Sequence, residues 1–104
     1  MDEAIFEFQA EFCKAMGNAM RLQVLHTLRE GPKTVTEIVQ VTGFSQANVS
    51  RQLAVLRGIG VVSPQRHGTE MLYRLIDPKV SEVCDLVRKV LSEHMHRRSQ
   101  IIQE

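Results

Sequence analysis

Apolar residues return along this chain with the 3.6-residue beat of helices, except in one stretch where the beat shortens to two. Ile5, Phe8, Phe12 and Ala15 mark one face of a helix over residues 2–16, with Phe6 and Cys13 beside it. Gly17 and Asn18 break that run. Met20, Val24, Leu25 and Leu28 mark a second helix over 19–29, leaving Arg21, Gln23 and Thr27 outward, and Gly31-Pro32 ends it. Thr34 and Glu37 fit a capping box for a short third helix carrying Val35, Ile38, Val39 and Val41, closed by Gly43. Ser45 is placed as the N-cap of a fourth, in which Val49, Leu53 and Leu56 form the inward stripe and Gly58 is the stop. From Gly60 to Arg66 and from Glu70 to Leu75 the alternation is that of two strands, joined by a turn at His67-Gly68-Thr69. Asp77-Pro78 then starts a last helix over 78–98, striped by Val80, Val83, Cys84, Val87, Val90 and Leu91. The fold class is mainly α with a small β-hairpin, in the order α-α-α-α-β-β-α.

The third and fourth helices are separated by little more than a glycine turn, which is the helix-turn-helix arrangement, and the hairpin after it is a wing. The fourth helix has an unusual outer face. Gln46, Asn48, Ser50, Arg51 and Gln52 bring amides, a hydroxyl and a single formal charge where a merely solvated helix carries Glu and Lys. Amide and guanidinium groups pair donors and acceptors with purine edges in the major groove. The pattern therefore points to double-stranded DNA, with Gln46, Asn48, Ser50 and Arg51 at bases or adjacent phosphates and Ser45 and Gln52 at phosphate. Arg66, His67 and Thr69 sit on the wing tip, within reach of the backbone or minor groove.

Net charge adds little, at +1 over 104 residues. Its distribution adds more. Asp2, Glu3, Glu7 and Glu11 make the first helix acidic, whereas Phe44 to Arg74 holds Arg51, Arg57, Arg66 and Arg74 against Glu70 alone. The length fits one domain, 1–104, that would be marginal as a monomer. Two cysteines make no disulfide framework, and no run reads as a signal peptide or membrane span, so the expected compartment is the reducing cytoplasm. No Ser/His/Asp set, carboxylate pair or phosphate-cradling loop suggests an enzyme. His26 reads as a packed or partly exposed helix residue, and His94 and His96, two apart, make a poor chelate.

Lys14 to Leu25, KAMGNAMRLQVL, is similar to the KALGNPTRLRIL opening of the ArsR/SmtB family of winged-helix repressors. Ser45 to Leu53, SQANVSRQL, resembles that family's SQSTVSRHL recognition stretch, and Arg66 to Leu75, RHGTEMLYRL, its wing. The resemblance spans nearly the whole chain. It implies a homodimer built from the first and last helices, about 2–16 and 78–98, that represses transcription from an inverted-repeat operator until an inducer binds. Independently, both end helices carry more apolar face than one small domain covers.

The resemblance also removes the family's usual metal sites. Ile38-Val39-Gln40-Val41 holds no thiol or imidazole where one class places two cysteines. For the other, Asp77 fits the first ligand position, but Lys79 and Val90 stand where histidines belong. No cofactor is required. Two readings of Cys13 and Cys84 stay open: small hydrophobes at the dimer seam, or a thiol pair across it that takes a thiophilic metalloid, forms a disulfide or carries a persulfide from reactive sulfur, so inducing release. An ArsR-type regulator without cysteine sensing, and a winged-helix module that docks on proteins rather than DNA, are the alternatives.

Overall fold

In the computed structural model, residues 2–103 are described along the backbone and residues 2–99 by their side chains. The elements run α1 (Glu3–Met16), α2 (Ala19–Thr27), β1 (Lys33–Thr34), α3 (Val35–Thr42), α4 (Gln46–Gly58), β2 (Val62–His67), β3 (Glu70–Leu75) and α5 (Lys79–Gln103). Each helix starts where a short polar side chain takes up orphan N–H groups. Asp2 accepts from the Ala4 amide at 3.0 Å, Asn18 from Arg21 at 3.0 Å, and Ser45 from Asn48 at 3.1 Å. The expected capping box is present: Thr34 Oγ1 accepts from the Glu37 amide at 3.1 Å and Glu37 Oε1 from the Thr34 amide at 3.0 Å. That carboxylate accepts both the amide and the hydroxyl of Thr34, which holds its pKa below the ordinary value.

Helix ends differ from expectation in α2 and α5, the latter running to Gln103 rather than ending near residue 98. The second helix stops at Thr27 rather than near residue 29, and the turn Leu28–Glu30 leads to Gly31. Gly58 is the last residue of α4, as expected, but it does not supply the left-handed cap. It stays helical, and Gly60, at φ 79°, takes the left-handed conformation instead. The Gly60 amide donates to Arg57 O at 3.0 Å and the Val61 amide to Leu56 O at 3.1 Å. These two bonds are a Schellman closure, and Val61 and Leu56, the pair that should meet across it, are both buried.

The core lies between α2, α3, α4 and the first residues of the wing. Val24, Leu25 and Leu28 meet Ile38, then Val49, Leu53 and Leu56, with Val61 and Val62 below. Each such side chain contributes about 1.5–3 kcal/mol by leaving water. Thr27, expected outward, belongs to this core. It is buried, and its hydroxyl donates to Val24 O at 2.7 Å, so that hydroxyl is not stranded.

The hairpin is the expected one, with a third strand added. β2 pairs antiparallel with β3, from Val62 opposite Leu75 to His67 opposite Glu70, leaving a two-residue turn with Gly68 at φ 65°. His67 therefore ends a strand rather than opening the turn. β1 pairs on the other side of β3, with Lys33 opposite Tyr73 and Thr34 opposite Leu72, giving the order β1-β3-β2. This strand leaves no alternation in the sequence, because it is two residues long and ends on a helix cap.

The terminal helices stand apart from the core. No residue of α1 is buried, and Ile5, Phe6 and Phe8 are 54–66% exposed. In α5 Val80 and Cys84 pack against the core and Ser81 is buried, whereas Val83, Leu86, Val87, Val90, Leu91 and Met95 are open. Among the described residues, no helix is long and apolar enough to cross a membrane.

Candidate nucleic-acid interface

α4 is held from below and free above. Val49, Leu53 and Leu56 fix its inner side in the core, and the turn Gly43-Phe44-Ser45 seats its first residue, with Phe44 packed against the core. Ser45, Gln46, Ser50 and Arg51 are exposed and Asn48 is half-buried. Asn48 Oδ1 accepts from Arg51 Nη1 at 2.9 Å, one turn apart, so the guanidinium is steered along the helix face before any ligand arrives. The hydroxyl of Ser45 already accepts the Asn48 amide. Its own proton is left to donate outward at a helix N-terminus, which favours anionic oxygens.

Gln52 departs from this face. Expected at phosphate, it is instead 5% exposed, and its Oε1 accepts from Arg21 Nε at 3.1 Å. Its position explains this. Counting from Val49, residue 52 falls at i+3, between Val49 and Leu53 on the buried stripe. Gln52 is thus removed from the candidate DNA contacts.

The wing supplies the second part of the surface. Arg66, His67 and Thr69 are all exposed, Arg66 opposite Met71 in the ladder and Thr69 in the turn. Arg57 and Arg74 are exposed as well, so the cationic excess read from the sequence lies open to solvent. The arrangement is a helix whose amide, hydroxyl and guanidinium groups face out, flanked by a basic ribbon. It can read groove edges and hold phosphates.

A second feature lies away from this surface. α1 and α5 flank a largely apolar cavity of about 610 Å³, lined by Phe12, Met16, Leu22, Val87, Leu91 and Met95 among others. Both cysteines line it. Cys13 is exposed and Cys84 half-buried. Burial pushes the Cys84 thiol above its ordinary pKa and the Asp85 carboxylate adds to that, while Arg88 draws it down. Among the described residues, no group of three or more His, Cys, Asp or Glu could hold a metal ion.

A model described as "bacterial regulatory protein, arsR family" matches residues 19–63. Over 103 residues the chain is 32% identical to the uncharacterized HTH-type transcriptional regulator Rv0081 of Mycobacterium tuberculosis, covering 98% of this chain and 90% of that one. The crystal structure of Rv0081 superimposes with a TM-score of 0.80 at 33% identity, over 94% of this chain and 99% of that one. The solution structure of a homodimeric winged helix-turn-helix DNA-binding domain, Mb0332 from Mycobacterium bovis, does so with a TM-score of 0.81 at 31% identity, over 93% of each. A probable mercury resistance operon repressor of Streptomyces lividans is 33% identical over 85 residues, 82% of this chain and 68% of that one.

Proposed function

The chain belongs to the arsR family of bacterial regulatory proteins, and from that membership we propose that it is a dimeric, sequence-specific repressor of transcription. One observation carries the reading: the outward side of α4 presents Gln46, Asn48, Ser50 and Arg51 on a helix whose other side is locked into the core. A symmetric pair of such helices about 34 Å apart meets successive major grooves of an inverted repeat. All 104 residues act as one unit, with α1 and α5 as the dimer seam and the cytoplasm as its compartment. The Mycobacterium bovis relative, described as homodimeric, supports the seam.

Binding is tested by fluorescence anisotropy on a duplex from upstream of the protein's own gene, at two salt concentrations. The expected result is saturable binding that survives competitor DNA and weakens steeply with salt. Binding equal to that of an unrelated duplex at both concentrations would leave a winged-helix module that docks on proteins.

Cys13 and Cys84 share one cavity between the two seam helices, so a thiophilic inducer taken up there would favour a dimer whose reading helices are wrongly spaced. Arsenite, exchanging two hydroxyls for the two sulfurs with loss of two waters, is the simplest probe. The Streptomyces relative, named for resistance to a thiol-seeking metal, supports this class of inducer. Arsenite should release duplex from the wild type and leave the Cys13→Ser and Cys84→Ser variants bound. Equal release from all three rejects the cysteines.

A further inference from the structure

One guanidinium joins three helices behind the reading surface. Arg21 stands in the first turn of α2, its own amide fixed by Asn18. Its Nε donates to Gln52 Oε1 in the middle of α4, at 3.1 Å, and its Nη1 donates to the carbonyl of Ala15 in the last turn of α1. A cation at that end of α1 also faces the negative pole of the helix. Gln52 is almost wholly buried, so losing the guanidinium leaves its carbonyl oxygen without its protein donor. The last turn of α1 meanwhile lines the cavity through Phe12, Cys13 and Met16.

We propose that Arg21 is a positioning residue for DNA reading: through Gln52 it sets the angle of α4 against the end of α1. A displacement of that end by whatever enters the cavity then reaches α4 through two hydrogen bonds. The proposal rests on the regulator reading above and adds the route by which the seam governs affinity. It needs no contact between Arg21 or Gln52 and DNA, since both lie on the inner side of the reading helix.

The test is a double-mutant cycle on affinity for the same upstream duplex, with urea midpoints recorded in parallel. Arg21→Ala and Gln52→Leu should each lose about tenfold, the size expected for a hydrogen bond to a charged group. The double variant should also lose about tenfold rather than about a hundredfold. Gln52→Glu, which keeps the acceptor, should bind within about threefold of wild type. Arg21→Lys keeps the charge but not the forked donors, and should lose as much as Arg21→Ala; it carries the comparison if the alanine variant fails to fold. Alkylating Cys13 with N-ethylmaleimide in a Cys84→Ser background should weaken binding with Arg21 present and change nothing in Arg21→Ala.

Losses that multiply, or variants that bind as wild type does, would overturn the proposal while leaving the regulator reading intact. A wild type that ignores the duplex would remove both.

Discussion

Arg51 and Arg66 carry the same charge and are expected to do different work. Arg51 is held along the α4 face by Asn48, one turn away, whereas Arg66 sits on an open strand of the wing. Arg51→Ala should therefore change which base is preferred, at a cost of about 1–3 kcal/mol at one position. Arg66→Ala should weaken all sequences alike and reduce the salt slope by about one phosphate. Anisotropy titrations on a panel of singly substituted duplexes would separate the two effects. His26 gives a prediction about pH. Its imidazole lies 3.8 Å from Asp85 Oδ1, which favours the charged form, but burial and the nearby Arg29 and Arg88 outweigh that carboxylate and Glu30, so its pKa lies below 6.5. The unfolded chain then binds the proton more readily than the folded one. Stability should fall as pH drops through 6.5, and the loss should be complete below the folded pKa. Thermal melts of wild type and His26→Gln should diverge over that interval and run parallel above it. At this scale a residue's place on the helix outweighs its type. Arg21, Leu25 and Leu28 are spaced i, i+4, i+7, and Thr27 lies three beyond Val24, so position alone put both polar residues inward.

Helices and strands were more legible than their ends, because periodicity is spread over many residues and an end depends on one or two. The capping box at Thr34 and Glu37 and the cap Ser45 could be read directly, since only a few side chains can do that work, whereas Asn18, expected only as a break, caps α2. The end of α4 could not: two glycines lie two apart, and only the backbone decides which turns left-handed. Thr34→Ala should destabilise the protein by about 1 kcal/mol. Gly60→Ala, which forces a Cβ into the left-handed region at φ 79°, should cost about 1–2 kcal/mol. Gly58→Ala, in regular helix with open space around its Cα, should stabilise by about 0.5–1 kcal/mol. Urea denaturation of the three variants checks all of these, and the opposite signs at Gly58 and Gly60 are the sharpest part.

As a whole, the molecule has a small dry centre and two long open helices. That imbalance was visible in the sequence as apolar stripes at both ends, but the cavity between α1 and α5 was not, because it depends on how far apart the helices pack. The exposed Val87 and Leu91 belong to the surface proposed as the dimer seam. Val87→Glu should drive the protein to monomer in sedimentation velocity and cut affinity for the duplex by several orders of magnitude, because the second reading helix no longer arrives with the first. Urea stability of the isolated chain should change little, since that side chain is 52% exposed without a partner.

Thr34 serves two elements at once, as the end of the outer strand opposite Leu72 and as the cap of α3. The ribbon cannot swing without dragging the helix pair along, so the protein behaves as a ruler with two fixed marks. Inserting one base pair between the segment read in the major groove and the flank gripped by the wing should then forfeit the flank contacts entirely, and a footprint of constant length should appear on every natural site.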